Sequence, residues 1–321
     1  VSPSARLLLG VTLGLVAACA LGLLALTRGW WNPTADALQA RYATAASKFI
    51  DIDGVRIHYV DEGRGPVLLL VHGAAESLRT WDGVAARLVP RYRMVRLDIP
   101  DHGLSGPDPE GRYGIADHLH RIEVLCARLG IDRFAIGGSS WGGTIAYSFA
   151  AAHPERVSAL VLVSAPGMRS TRPDFHLPQP AGAFARWRGR YYQTRDEVAA
   201  TMRSVSVATG YLTPALVAQY TDFLNRRGRA RERARMLEQI LPDEATPRAT
   251  AVVAEVVAPT LVVWGRDNPA FGPENATDFA AALTHSRQVV TRIYPGVGHK
   301  VEREAPEALA ADIDAFLAEH P

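Results

Sequence analysis

Leu7 to Leu26 is twenty residues without a charge, bounded by Arg6 and Arg28. At 1.5 Å per residue, a helix of that length spans about 30 Å, the thickness of a bilayer's hydrocarbon core. Trp30 and Trp31 follow where interfacial aromatics sit. Residues 30–48 mix polar and apolar positions and read as a linker or a short helix. From Phe49 the spacing changes. Phe49–Ile52 and Val55–Val60 alternate around Asp53-Gly54, the signature of a tight β-hairpin. Val67–Val71 is a continuous apolar run, as expected of a strand buried on both faces. Similar runs recur at Met94–Leu97, Phe134–Ile136, Leu160–Val163, Leu261–Trp264 and Gln288–Tyr294. Helical spacing lies between them, at Val84–Leu88, Ile115–Leu129, Thr144–Ala152, Asn275–Leu283 and Pro306–Leu317. A hairpin followed by alternating strands and helices predicts an α/β fold: a mostly parallel central sheet flanked by helices.

One stretch breaks the alternation. Gly167–Thr250 has helical patches and no buried-strand run, and reads as a helical lid inserted between two strands. The predicted organisation is therefore an anchor or signal segment at 1–29, a linker at 30–48, a core in two parts (49–166 and 251–321), and the lid at 167–250. A cleaved signal peptide has a shorter apolar region, about 7–15 residues. A lipoprotein box at Val16-Ala17-Ala18-Cys19 would normally turn polar after the cysteine, whereas Ala20–Leu26 stays apolar. The segment is read as a retained transmembrane anchor with the folded part outside the cytoplasm; a secreted protein and a lipoprotein are the alternatives.

The chain carries 35 basic and 33 acidic residues, so net charge gives no reason to expect a nucleic-acid partner. Two cysteines exclude a disulfide framework and a cysteine-based metal cluster; Cys126, in an apolar helical stretch, reads as a small buried hydrophobe. Charge is uneven. The lid holds 14 Arg against 8 acidic residues, leaving the rest of the chain net acidic. Six of those arginines fall within Arg226–Arg235. They read as a solvated helix face, or as a contact for anionic lipid headgroups beside an anchored membrane.

The strongest chemical signal is Gly137-Gly138-Ser139-Ser140-Trp141-Gly142-Gly143, after a strand and before a helix. Only Ser140 has glycine both two residues before and two after it, the spacing of a nucleophile elbow. The following helix directs free N–H groups at the place where an oxyanion would form. His72-Gly73-Ala74-Ala75 follows another strand; the N–H groups of Ala74 and Trp141 are the expected oxyanion donors, and His72 itself reads as a structural turn residue. Gly298-His299, between the last strand and the last helix, supplies the expected general base.

These residues resemble the α/β-hydrolase superfamily, in its lidded branch of esterases, C–C bond hydrolases, haloperoxidases and epoxide hydrolases. The resemblance covers about Phe49–Leu317. It rests on His72-Gly73, Trp81, Asp98–Ser105, the elbow, Trp264-Gly265-Arg266-Asp267 and Gly298-His299, in the family's chain order. It implies a serine nucleophile, a histidine base and an acidic orienter, with no cofactor and no metal. Two positions depart from the family. Asp101 stands where the family usually has glycine. Asn268 stands in the usual slot of the acid, with Asp267 one residue early. Asp267 is the expected orienter; Asn268, Asp174 and Glu274 are the alternatives. The family's epoxide hydrolases and haloalkane dehalogenases carry Asp at the elbow, so Ser140 points instead to acyl transfer. The expected activity is cleavage of a small-molecule carboxylic ester. A C–C hydrolase using the same residues and a non-catalytic binding protein on this fold are the alternatives.

Overall fold

The computed structural model describes residues 2–169, 172–240 and 247–320. The expected lid positions 170–171 and 241–246 and the terminal residues 1 and 321 lie outside the described residues. Helix α1 (Pro3–Arg28) covers the expected anchor. Its apolar side chains from Leu7 to Leu24 are exposed, as a membrane-spanning helix requires. It ends at Gly29 in the left-handed region, whose N–H returns to Leu26 O while the Trp30 N–H reaches Ala25 O. The expected linker contains a helix, α2 (Ala35–Tyr42), capped by the Thr34 hydroxyl, and sheet pairing already begins at Ser47.

The expected hairpin is β1 (Ser47–Ile52) and β2 (Val55–Glu62). Asp53 and Gly54 both have positive φ, 52° and 79°, the conformation that a two-residue turn of this twist needs. The chain continues through β3 (Val67–Val71), α3 (Asp82–Leu88), β4 (Arg93–Leu97), α4 (Ile115–Arg128), β5 (Phe134–Ser139), α5 (Trp141–Ala152) and β6 (Val157–Val163). The segment between sheet strands then carries α6 (Ala183–Arg188), α7 (Arg195–Ser204), α8 (Pro214–Leu224), α9 (Arg229–Ile240) and α10 (Pro247–Ala254). Beyond it lie β7 (Thr260–Gly265), α11 (Glu274–Ala282), β8 (Val289–Tyr294), α12 (Val301–Glu304) and α13 (Pro306–Glu319).

The strands form one sheet in the order β1-β2-β4-β3-β5-β6-β7-β8, parallel from β4 to β8 and antiparallel at the hairpin end. Alternate residues feed two cores. Leu69 and Val71 of β3 pack on one face with Ile122, Ile145 and Phe279, whereas Leu68 and Leu70 pack on the other with Val84, Leu309 and Ile313. Burying each such side chain contributes about 1.5–3 kcal/mol, so a continuous apolar strand is stable only between two helical layers. Helices α7 and α8 bury a smaller cluster of their own around Val198, Met202, Val217 and Tyr220.

This segment is fastened to the core and to the end of α1. The Arg226 guanidinium bonds the Asp101 carboxylate, and Arg229 lies 3.5 Å from the same group. Both arginines are buried, so the expected solvated face does not describe them. Arg227 donates its backbone N–H to Pro33 O and its side chain to Gly29 O and Trp30 O. Arg41 and the Tyr42 hydroxyl both bond Asp222 at 2.7 Å.

Candidate functional site

Strand β5 runs into α5 through Ser140, which has φ 51° and ψ −125°. For a non-glycine residue this is a strained conformation, and surrounding structure must hold it. Two glycines make that possible. A side chain on Gly138 would overlap the Gly142 carbonyl, and one on Gly142 would overlap the carbonyls of Val71 and His72. The elbow is thus pressed between its own helix and the end of β3. Ser139 ends β5 fully buried, whereas Ser140 is half-buried. Trp141 opens α5, so its N–H has no acceptor within the helix.

The loop after β3 lies against this turn: the α-carbon of Gly73 is so close that a Cβ there would sit 3.0 Å from Ser140 Cβ. His72 braces it. Its Nε2 accepts the Ile99 N–H at 3.1 Å and its Nδ1 faces Gly73 O at 2.7 Å, which fixes a neutral ring with the proton on Nδ1. The ring is fully buried, and that burial lowers its pKa. His72 is therefore a structural residue. Ala75 follows with φ 60° and Glu76 is buried, bonded at 2.7 Å to Lys300. That ion pair ties the Gly73–Glu76 loop to the loop that carries His299.

His299 sits on the loop between β8 and α12 and is nearly buried. Its backbone N–H donates to Val205 O at 2.8 Å. Glu304 holds the same loop: its carboxylate accepts the N–H groups of Gly298, Lys300, Val207 and Ala208. The imidazole pKa is pushed down to about 3, first by burial and then by the neighbouring Lys300 ammonium. Glu76, Lys300 and Glu304 were not marked by any sequence motif, since only the tertiary fold brings them together.

The expected orienter does not face His299. The Asp267 side chain is exposed and accepts the Gly296 N–H at 2.7 Å. Asn268 is fully buried and places Nδ2 3.1 Å from His299 Nδ1. The cause lies in the backbone. Gly265 passes so close to Val297 and Gly298 that a side chain would overlap their carbonyls, and Asn268 N–H turns back to Gly265 O. This turn directs residue 268 inward and residue 267 out. The other two alternatives, Asp174 and Glu274, are exposed. Asp101, with φ 63°, takes the left-handed conformation that favours glycine, and its carboxylate meets the arginines of the insertion. Cys126 is buried as expected, and burial pushes its thiol up to about 12. Among the described residues no cluster of His, Cys, Asp or Glu has the arrangement to hold a metal.

Residues 66–301 match the family described as alpha/beta hydrolase fold. The chain is 30% identical over 277 residues to haloalkane dehalogenase 2 of Mycobacterium tuberculosis (strain ATCC 25618 / H37Rv), covering 83% of this chain and 93% of that protein. It is 27% identical over 293 residues to a 2-hydroxy-6-oxononadienedioate/2-hydroxy-6-oxononatrienedioate hydrolase of Cupriavidus pinatubonensis, covering 87% and 98%. Among solved structures, a membrane phospholipase A described as a bacterial virulence factor superposes with a TM-score of 0.73 at 24% identity, over 98% of each chain.

Proposed function

The chain belongs to the alpha/beta hydrolase fold family, and on that premise we propose that it is a membrane-anchored serine hydrolase that cleaves a carboxylic ester through an acyl-enzyme. The observation that carries this reading is Ser140, held at φ 51° at the head of a helix and walled by glycines. Its Oγ attacks the acyl carbonyl and its proton passes to His299. The oxyanion takes hydrogen bonds from the N–H groups of Ala74 and Trp141, whose fixed orientation stabilises it by several kcal/mol. The C–O bond breaks, and the alcohol leaves with the proton from His299. Water then attacks the acyl-enzyme, giving the acid and free Ser140. The reading calls for no metal and no cofactor.

Serine argues against the dehalogenation named for the mycobacterial relative. A serine that displaced a halide would end as an alkyl ether, which water does not cleave; a carboxylate nucleophile gives a hydrolysable ester. Helix α1 is long and apolar enough to cross a bilayer, which supports the anchor; a hydrolase part on the extracytoplasmic side is the topology proposed with it. The contacts of Arg227 with Gly29 O and Trp30 O support a lid lying close to the membrane surface.

The reading is tested with p-nitrophenyl esters from acetate to palmitate, assayed with the full chain in detergent micelles. Turnover that falls by orders of magnitude in Ser140→Ala is expected. Equal turnover in both proteins contradicts it. The Cupriavidus relative supports a second reading, hydrolysis of a C–C bond in a vinylogous diketone by the same residues; a higher kcat/KM on such a diketone than on any aryl ester selects it. The amide beside His299 supports a third, a binding protein without turnover.

A further inference from the structure

The orientation of the Asn268 amide is fixed by its surroundings. Its Oδ1 accepts two backbone N–H groups, from Ala270 at 3.1 Å and Phe271 at 3.0 Å. Turning the amide over would point its NH2 at both donors and leave a buried and a part-buried N–H group unpaired, at a cost of up to ~1–3 kcal/mol each. The oxygen therefore stays with the backbone, and the NH2 group faces His299 Nδ1 at 3.1 Å. An amide NH2 donates and does not accept. Nδ1 must then be the acceptor, and the proton of the neutral ring lies on Nε2. A carboxylate in the same seat would give the opposite state. One oxygen would take the two backbone N–H groups, the other would accept a proton carried on Nδ1, and Nε2 would be left with its lone pair.

We propose that Asn268 is a positioning residue that holds His299 protonated on Nε2, so that the resting ring cannot take the Ser140 proton and the hydrolase is throttled. This rests on the reading of Ser140 as nucleophile. To act as base, the ring must first move its proton from Nε2 to Nδ1. Two donors, the Asn268 NH2 and the Nδ1–H, then face each other in a buried seat. Among the described residues no carboxylate faces the imidazolium formed during attack; the charge beside it is the Lys300 ammonium. The seat is otherwise complete for an acid, since the Ala270 and Phe271 N–H groups already converge on one oxygen. Restoring the carboxylate by Asn268→Asp is therefore the gain-of-function change.

The test has two independent readouts on the full chain in detergent micelles. The first is the tautomer, read from two-bond 1H–15N correlations of histidine-labelled protein, with His299 assigned by its loss in His299→Gln. The native protein is expected to show the Nε2–H tautomer; Nδ1–H in the native protein overturns the proposal whether or not any variant folds. The second is turnover of p-nitrophenyl acetate. Asn268→Asp is expected to convert His299 to Nδ1–H and to raise kcat by at least about tenfold, toward the ~10⁴-fold that a triad carboxylate is worth, with KM little changed. An acquired loss of rate below about pH 6–7 is expected with it, as the carboxylate raises the imidazole pKa toward its ordinary range. A converted tautomer with unchanged kcat and pH profile overturns the throttle. If Ser140→Ala leaves turnover intact, the nucleophile reading fails while the tautomer measurement still stands by itself.

Discussion

The guanidinium of Arg226 bonds the carboxylate of Asp101, both buried, and so joins the helical insertion to the loop after β4. Arg229 adds a second cation 3.5 Å from the same carboxylate. Three charged groups thus leave water together: both guanidiniums attract the one carboxylate and repel each other, against a desolvation cost of several kcal/mol per ion that pushes the Asp101 pKa up.

Removing Asp101 takes the carboxylate from two buried guanidiniums, each of which keeps a hydrogen bond to a backbone carbonyl, of Ser105 and of Phe223. Asp101→Ala is expected to lower stability by about 3–5 kcal/mol, the usual result of deleting one partner of a buried pair. Asp101→Gly relieves the positive φ and still loses nearly as much. Urea unfolding of the detergent-solubilised chain checks this; a loss below about 1 kcal/mol in both variants would mean that the arginines find water or other acceptors.

The glycines of the elbow differ sharply from those in open space. A Cβ on Gly142 would overlap backbone carbonyls of Val71 and His72, which have little room to yield, whereas nothing lies within 4 Å of one on Gly210. Gly142→Ala is expected to cost more than about 3 kcal/mol, above the usual range for an overpacked methyl because the obstacle is backbone. Gly210→Ala is expected to be neutral within about 1 kcal/mol. Thermal unfolding of the two variants side by side reads the difference, and equal midpoints would contradict the packing described for the turn.

Acid should destabilise the fold early. His118 and His299 are both pushed down to about 3 by burial first, and His72 and His102 are lowered for the same reason. Between the ordinary histidine value near 6.5 and these depressed values, the unfolded chain binds protons that the folded chain refuses. Stability therefore rises with pH in that window and falls on acidification, by up to about 1.4 kcal/mol per pH unit for each such histidine. Unfolding free energy measured from pH 7 to pH 5 checks it; a flat profile would mean that these rings are protonated in the native state.

Much of this was legible in the sequence because it depends on local pattern. The apolar run Val67–Val71 matches β3 residue for residue, and Asp53-Gly54 announced the hairpin. The elbow was readable because strain and close approach demand small residues at fixed offsets from Ser140. The third side chain of the site was not. Whether residue 267 or 268 faces His299 is set by how the turn after Gly265 folds against Val297 and Gly298, a long-range contact that leaves no mark on local spacing. The arginines hid their partners for a related reason. Arg226 and Arg229 look like part of a charged run, and only the tertiary fold brings Asp101 to them across more than a hundred residues of chain. Asp101 itself was visible as a departure from the family, with its meaning held on the other side of the contact.

The joint between the insertion and the end of α1 should show in local dynamics. Arg227 supplies acceptor carbonyls Gly29 O, Trp30 O and Pro33 O with donors. Arg227→Ala removes the side-chain donors and keeps the backbone one. Faster hydrogen exchange at residues 32–43 is expected, with exchange in β3 and β5 unchanged. Identical exchange in the two proteins would mean that the Arg227 backbone N–H and the bonds of Asp222 with Arg41 and Tyr42 hold this joint without the guanidinium.

Covalent trapping reads the nucleophilicity of Ser140 without any choice of substrate. The full chain is treated with a fluorophosphonate, digested, and the modified residue found by mass spectrometry. One phosphonyl group is expected on Ser140, slow to form in the native protein, faster in Asn268→Asp and absent in Ser140→Ala. Unmodified Ser140 in both the native protein and Asn268→Asp, or a label that survives Ser140→Ala unchanged, would contradict Ser140 as the nucleophile.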